Sequence, residues 1–139
     1  MKPLNLYLDG GGTPTVPTYF SYKVIEEPWI QIKKMLTRDI PTTLIPKGCS
    51  FTRTDGTETN NIAEYAALYY GLLGFKIALG PIPVNVFHDS QNVVLQVLRE
   101  RNCNAPHLRP WKNAVLSIWW DEINYIWVRR NSIKKVLGH

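Results

Sequence analysis

The chain is predicted to be α/β, with a five-stranded mixed sheet and helices packed on it, and three observations carry that expectation. Apolar residues alternate with period two in "LNLYLD", and the aromatic and β-branched "TYFSYKVIEE" follows. The period then lengthens to the helical value across "TNNIAEYAALYYGLLGFKIALG". Beyond it, short β-rich runs alternate with helical ones, as in parallel strands joined by crossovers.

The elements follow in order. Leu4, Leu6 and Leu8 alternate through residues 4–9 and predict the first strand. "TYFSYKVIEE" (18–27) is aromatic and β-branched, so a second strand is expected, joined to the first by "GGGTPTVP". Residues 28–47 fit a short helix or an extended arm equally well. "GCSFTRT" (48–54) reads as the third strand, closed by a turn at Asp55 and Gly56. In the long helix, Ala63, Ala67, Tyr70, Gly74 and Ile77 form the expected stripe; Thr59 or Asn60 caps its start, and Gly80 with Pro81 ends it. "PVNVFHD" (83–89) predicts a fourth strand ending on Asp89. "SQNVVLQVLRER" and "PHLRPWKNAVLSIWW" predict helices, and "INYIWVRR" the last strand. The first three strands are expected to be antiparallel, and the later ones parallel.

At 139 residues the chain is read as one domain spanning 1–139, large enough for its own core. No apolar run is expected to reach membrane-spanning length, and "MKPLNLYLDG" carries no secretory signal. Cys49 and Cys103 have no metal-pair spacing and are read as reduced thiols of a cytoplasmic protein. Sixteen Lys and Arg against eleven Asp and Glu give a formal charge of +5, which permits a nucleic-acid partner without requiring one.

Three carboxylates stand out by position. Asp9 and Asp89 end the first and fourth predicted strands, and Glu64 lies early in the long helix. Ligands gather at the carboxyl ends of strands in such sheets, so neighbouring strands would bring Asp9 and Asp89 together and a helix packed over that end would add Glu64. Carboxylates forced together call for a cation between them, and oxygen-only sites suit Mg²⁺ or Mn²⁺. Two such ions can serve a phosphodiester displacement.

With those residues in place, the chain resembles the ribonuclease H family over nearly its whole length. "LYLDGGG", "TNNIAEYAAL", "HDSQNVV" and "YIWVRR" occur in the family's order. The resemblance implies hydrolysis of the RNA strand of an RNA–DNA hybrid, with Asp9, Glu64 and Asp89 as metal ligands and products ending in 5′-phosphate and 3′-hydroxyl. It also implies that Gly10, Gly11 and Gly12 let backbone approach the 2′-hydroxyls of the minor groove. Asn60, Asn61 and Gln91 are the further expected contacts, with Ser90 read as a helix cap and the basic Arg129 and Arg130 assigned to the nucleic acid. A monomer is expected.

The family's fourth ligand, an acid in a helix after the last strand, is missing: no acid follows Glu122. His139, the last residue, is the expected substitute, on a short helix begun around residues 132–135. His88 is expected to point away from Asp89, and His107 to open a helix. Two other readings stand beside the leading one. The first is a junction resolvase or exonuclease on the same fold; the second is a non-catalytic nucleic-acid-binding module.

Overall fold

The computed structural model describes residues 1–12, 16–53 and 59–138. Its strands are β1 (Leu4–Gly11), β2 (Tyr19–Val24), β3 (Gln31–Leu36), β4 (Val84–His88) and β5 (Ile123–Trp127). Its α-helices are α1 (Asn60–Leu79), α2 (Gln91–Val97), α3 (Arg109–Ile118) and α4 (Arg130–Leu137). The strands lie in the order β3-β2-β1-β4-β5. β1 pairs antiparallel with β2 and parallel with β4, and β4 runs parallel with β5. This is the expected mixed sheet.

The third strand is not where the sequence placed it. Residues 31–36 form β3, drawn from the stretch that fitted helix or arm. β3 is an edge strand whose Gln31, Lys33 and Lys34 are exposed, and its pairing with β2 shifts register between Phe20 and Tyr22. An exposed edge with a bulge loses the clean alternation that marks a half-buried strand. The segment expected as that strand (48–54) is, through residue 53, mainly irregular chain pinned to α3. Phe51 packs on Trp111 with ring centroids 5.3 Å apart, and the Trp111 indole N–H donates to the Ser50 carbonyl at 2.9 Å. The turn expected at Asp55 and Gly56 lies outside the described residues.

α1 is the central helix. Thr59, not Asn60, caps it, its hydroxyl accepting from the Ile62 N–H at 3.3 Å. The expected stripe holds for Ala63 and Ala67 but fails at Ile77, which is 77% exposed. The face that is buried includes Ile62, Tyr65, Ala66, Leu68, Leu72 and Phe75. An apolar sequence on nearly every side leaves the choice of face to the contact itself. Gly10 makes that contact possible: a Cβ there would stand 2.3 Å from the Ala63 carbonyl oxygen and 2.7 Å from the Glu64 nitrogen. Helix backbone thus rests directly on β1, and Glu64 is carried over the strand end. By length and apolar composition α1 could cross a membrane, which corrects the expectation that no run would; half of its apolar window is buried within the fold.

Candidate functional site

Asp9 lies on the sheet face opposite Leu8 and Gly10 and is wholly buried. The Tyr19 hydroxyl, from the paired strand, donates to Asp9 Oδ2 at 3.3 Å. Arg130, the first residue of α4, reaches both strand ends: its Nη1 donates to Asp9 Oδ1 at 3.1 Å and to Asp89 Oδ2 at 3.1 Å. Asp89 is further fixed by the Trp127 indole N–H, which donates to its backbone carbonyl at 3.0 Å. Glu64 enters from α1. It shares a cleft of about 460 Å³ with Asp89, Arg130, Tyr19, Lys34, Asn60 and Gly10, Gly11 and Gly12. Lys34 sits at this mouth with its ammonium 4.3 Å from the centre of the Tyr19 ring.

The three acids are therefore brought together, and their protonation reflects it. Burial, opposed by a hydrogen bond from Ser90 and reinforced by the charges of Asp89 and Asp9, pushes the Glu64 carboxyl up to about 7. Burial and the neighbouring Asp9 also raise Asp89, against the pull of Arg130. Carboxylates held this close, with a guanidinium already bridging two of them, form a donor set that fits a divalent cation. Glu64 and Asp89, with the buried Asp9 behind them, are the acids that could hold one.

His88 corrects the sequence reading. A ring nitrogen of His88 and carboxylate oxygens of Glu64 and Asp89 all lie within 4.8 Å of one another. β4 ends at His88, so Asp89 is already past the pleat, and strand alternation no longer separates the two side chains. Burial drives the His88 imidazole down to about 3, and it is neutral at physiological pH.

The other expected contacts divide. Asn60 lines the cleft and is exposed; with Thr59 capping α1, its amide is not committed to the helix end. Asn61 is partly buried, and Gln91 is exposed at the first turn of α2. Ser90 caps α2 as expected, accepting from the Val93 N–H at 3.3 Å. Arg129 is exposed, whereas Arg130 is engaged with the acids. α4 begins at Arg130, earlier than expected, and His139 lies outside the described residues. His107 sits in the turn before α3. Sequence reasoning missed Tyr19, Lys34 and the bridging role of Arg130. Only the strand pairing and the docking of α4 reveal them; the doubled "KK" in residues 31–36 was the one local signal.

The two buried groups give a pH prediction for the metal-free protein. Glu64 is raised from its ordinary 4.5 to about 7, so the folded state holds a proton that the unfolded chain releases, and stability falls as pH rises from 4.5 through 7. His88 is lowered from 6.5 to about 3, so stability falls as pH drops from 6.5 through 3. The two slopes oppose each other between 4.5 and 6.5. Chemical denaturation in a chelator should show a plateau there, and Glu64→Gln should convert it into a rise with pH, gaining up to ~3 kcal/mol over the wild type by neutral pH. Parallel curves for the two proteins would contradict the placement of Glu64.

A five-stranded mixed sheet in this order, flanked by helices and gathering its acids at the ends of β1 and β4, is the ribonuclease H fold. The chain matches the crystal structure of RNase H1 from the halophilic archaeon Halobacterium salinarum NRC-1 with a TM-score of 0.67 and 20% identity, over 96% of this chain and 90% of that one. It matches the N-terminal RNase H domain of a Mycobacterium tuberculosis protein, solved as a fusion with maltose-binding protein, with a TM-score of 0.68 and 23% identity, over 96% and 92%. It also matches LC11-RNase H1 in complex with an RNA/DNA hybrid, with a TM-score of 0.67 and 19% identity, over 95% and 89%. No protein-family model matches the chain, and no curated protein does.

Proposed function

We propose that this chain is a metal-dependent endoribonuclease that hydrolyses the RNA strand of RNA–DNA hybrids. The observation that carries the reading is the meeting of Glu64 and Asp89 at one cleft rimmed by Gly10, Gly11, Gly12, Asn60 and Lys34, with Asp9 buried behind it and tied to Asp89 through Arg130. The fold shared with LC11-RNase H1, whose structure holds an RNA/DNA hybrid, supports the same substrate.

Divalent ions, Mg²⁺ or Mn²⁺ and two in the fuller form of the reading, would supply water activation and charge neutralisation at the scissile phosphate, giving 5′-phosphate and 3′-hydroxyl ends. Everything else falls to the chain. Asp9, locked by Tyr19 and Arg130, and Asp89, locked by Arg130 and Trp127, present fixed anionic oxygens. Glu64 surrenders its proton when a cation binds. Asn60 and Asn61, at the start of α1, offer amide groups to base edges and 2′-hydroxyls in the shallow minor groove. Lys34 and Arg129 attract phosphates, and Gln91 extends the contact beyond Asp89. His139 is the sequence's own candidate for completing the metal site. We read the enzyme as a cytoplasmic monomer of one domain.

One observation favours a second reading. Arg130 already neutralises two of the acids, so a metal-free hybrid-binding module is the competing function. Incubating the full chain with labelled hybrid, duplex RNA, duplex DNA and a four-way junction, with Mg²⁺ or Mn²⁺, separates these cases. Cleavage confined to the hybrid's RNA strand is expected. Binding without cleavage would favour the module, and junction cleavage a resolvase. Asn61→Ala should narrow the preference for hybrid over duplex DNA about tenfold, one good polar contact in magnitude. Equal losses on both duplexes would make Asn61 structural.

A further inference from the structure

In the core beside Glu64 and Asp89 lies a group that the function proposed above does not use. His88 is wholly buried at the end of β4. Its Nδ1 lies 2.7 Å from the hydroxyl of Tyr125, on the neighbouring strand β5. Its Nε2 is buried with no hydrogen-bond partner among the described residues. Buried ring nitrogens are normally satisfied, and leaving one bare is unfavourable. This one belongs to a ring with a nitrogen within 4.8 Å of carboxylate oxygens from both Glu64 and Asp89.

We propose that His88 is a metal ligand, and that Glu64, His88 and Asp89 form a mixed nitrogen–oxygen site that takes a divalent transition-metal ion and favours Mn²⁺ over Mg²⁺. The inference rests on the metal-dependent reading above and specifies its donor set. With its proton on Nδ1 and donated to the Tyr125 hydroxyl, the imidazole presents the Nε2 lone pair, and Tyr125 becomes the partner that orients a metal-binding ring. Ligands of one octahedral ion bound at about 2.1 Å stand about 3.0 Å apart when adjacent and about 4.2 Å apart when opposite, so the three groups close on an ion by side-chain movements of roughly 1–2 Å. Mg²⁺ prefers oxygen donors and holds its waters, whereas imidazole suits the transition metals. The opposite flank of Asp89 is already occupied in charge: Arg130 holds Asp89 Oδ2 together with Asp9. The ion therefore belongs on the inner flank, against His88.

Pulsed electron paramagnetic resonance of Mn²⁺ bound to the full chain tests this without any substrate. The wild type should show hyperfine coupling to one imidazole nitrogen, and uniform ¹⁵N labelling should change that coupling accordingly. His139→Gln should keep it and His88→Gln should lose it. Calorimetric titration should give Mn²⁺ at least tenfold tighter than Mg²⁺, with the preference reduced several-fold in His88→Gln. Because His88 is a core residue, circular dichroism must show that this variant folds; coupling kept or lost in His139→Gln decides the matter if it does not. Mn²⁺ bound without nitrogen coupling in the wild type would overturn the inference and leave the metal-dependent reading standing. Coupling that persists in folded His88→Gln, or vanishes in His139→Gln, would overturn the assignment to His88. No Mn²⁺ binding at all would overturn the metal-dependent reading and this inference together.

Discussion

Asp89→Asn lowers hybrid cleavage on the order of a thousandfold while hybrid affinity changes by only a few-fold. Asn keeps the shape and the backbone contact with Trp127 but removes the charge that both a cation and Arg130 require. Charge stabilisation at a phosphoryl centre is a matter of several kcal/mol, and about 4 kcal/mol corresponds to three orders of magnitude in rate. In the proposed function binding rests elsewhere, on the basic rim and the amides of α1, so it should survive. It should still weaken steeply with salt, because phosphate contacts release counterions. Single-turnover cleavage and a filter-binding titration over several salt concentrations measure the two effects. Turnover within tenfold of wild type would remove Asp89 from the metal site.

Arg130→Gln lowers the melting temperature of the metal-free protein by about 3–6 °C, and Mn²⁺ restores most of it. The Arg130 guanidinium joins Asp9, which is wholly buried, to Asp89. Without it Asp9 and Asp89 lose the guanidinium that they share. Removing one member of a buried ion pair costs roughly 3–5 kcal/mol. The Arg130 side chain is 54% exposed, so solvent screening reduces the cost to about 1–2 kcal/mol, a few degrees for a domain of this size. A divalent ion supplies the missing charge, so added Mn²⁺ should stabilise the variant more than the wild type. Equal stabilisation of both proteins would show that Arg130 and the ion do not share Asp89.

Asp9, Glu64 and Asp89 were legible because each lies in or directly beside an element whose period is strong in the sequence, although β1 runs two residues past Asp9 and β4 stops one residue before Asp89. The strand around Leu4, Leu6 and Leu8, the long apolar helix and the strand at "VNVFHD" all formed where periodicity placed them. Helix caps were legible for the same local reason: the Ser90 hydroxyl needs only its own helix to find a partner.

Other features depended on contacts across the chain. β3 could not be read, because an edge strand with Lys33 and Lys34 exposed and a bulge in its pairing gives no alternating signal. The buried face of α1 was open until Gly10 and Gly71 let β1 approach; a Cβ at Gly71 would stand 2.5 Å from a methyl carbon of Leu8. The glycines after Asp9 show the same division. Their run signalled close approach, yet only packing reveals that Gly10 makes room for helix backbone. Arg130 and His88 entered the site from outside any local pattern. Arg130 lies 121 residues from Asp9, and docking of α4 alone brings the two together. His88 joins Glu64 because strand alternation ends one residue before Asp89. By itself the sequence determined the elements and their acids, since short-range periodicity and capping encode them. The tertiary structure decided which cation and which imidazole meet those acids, because that depends on side chains converging from elements far apart in the chain.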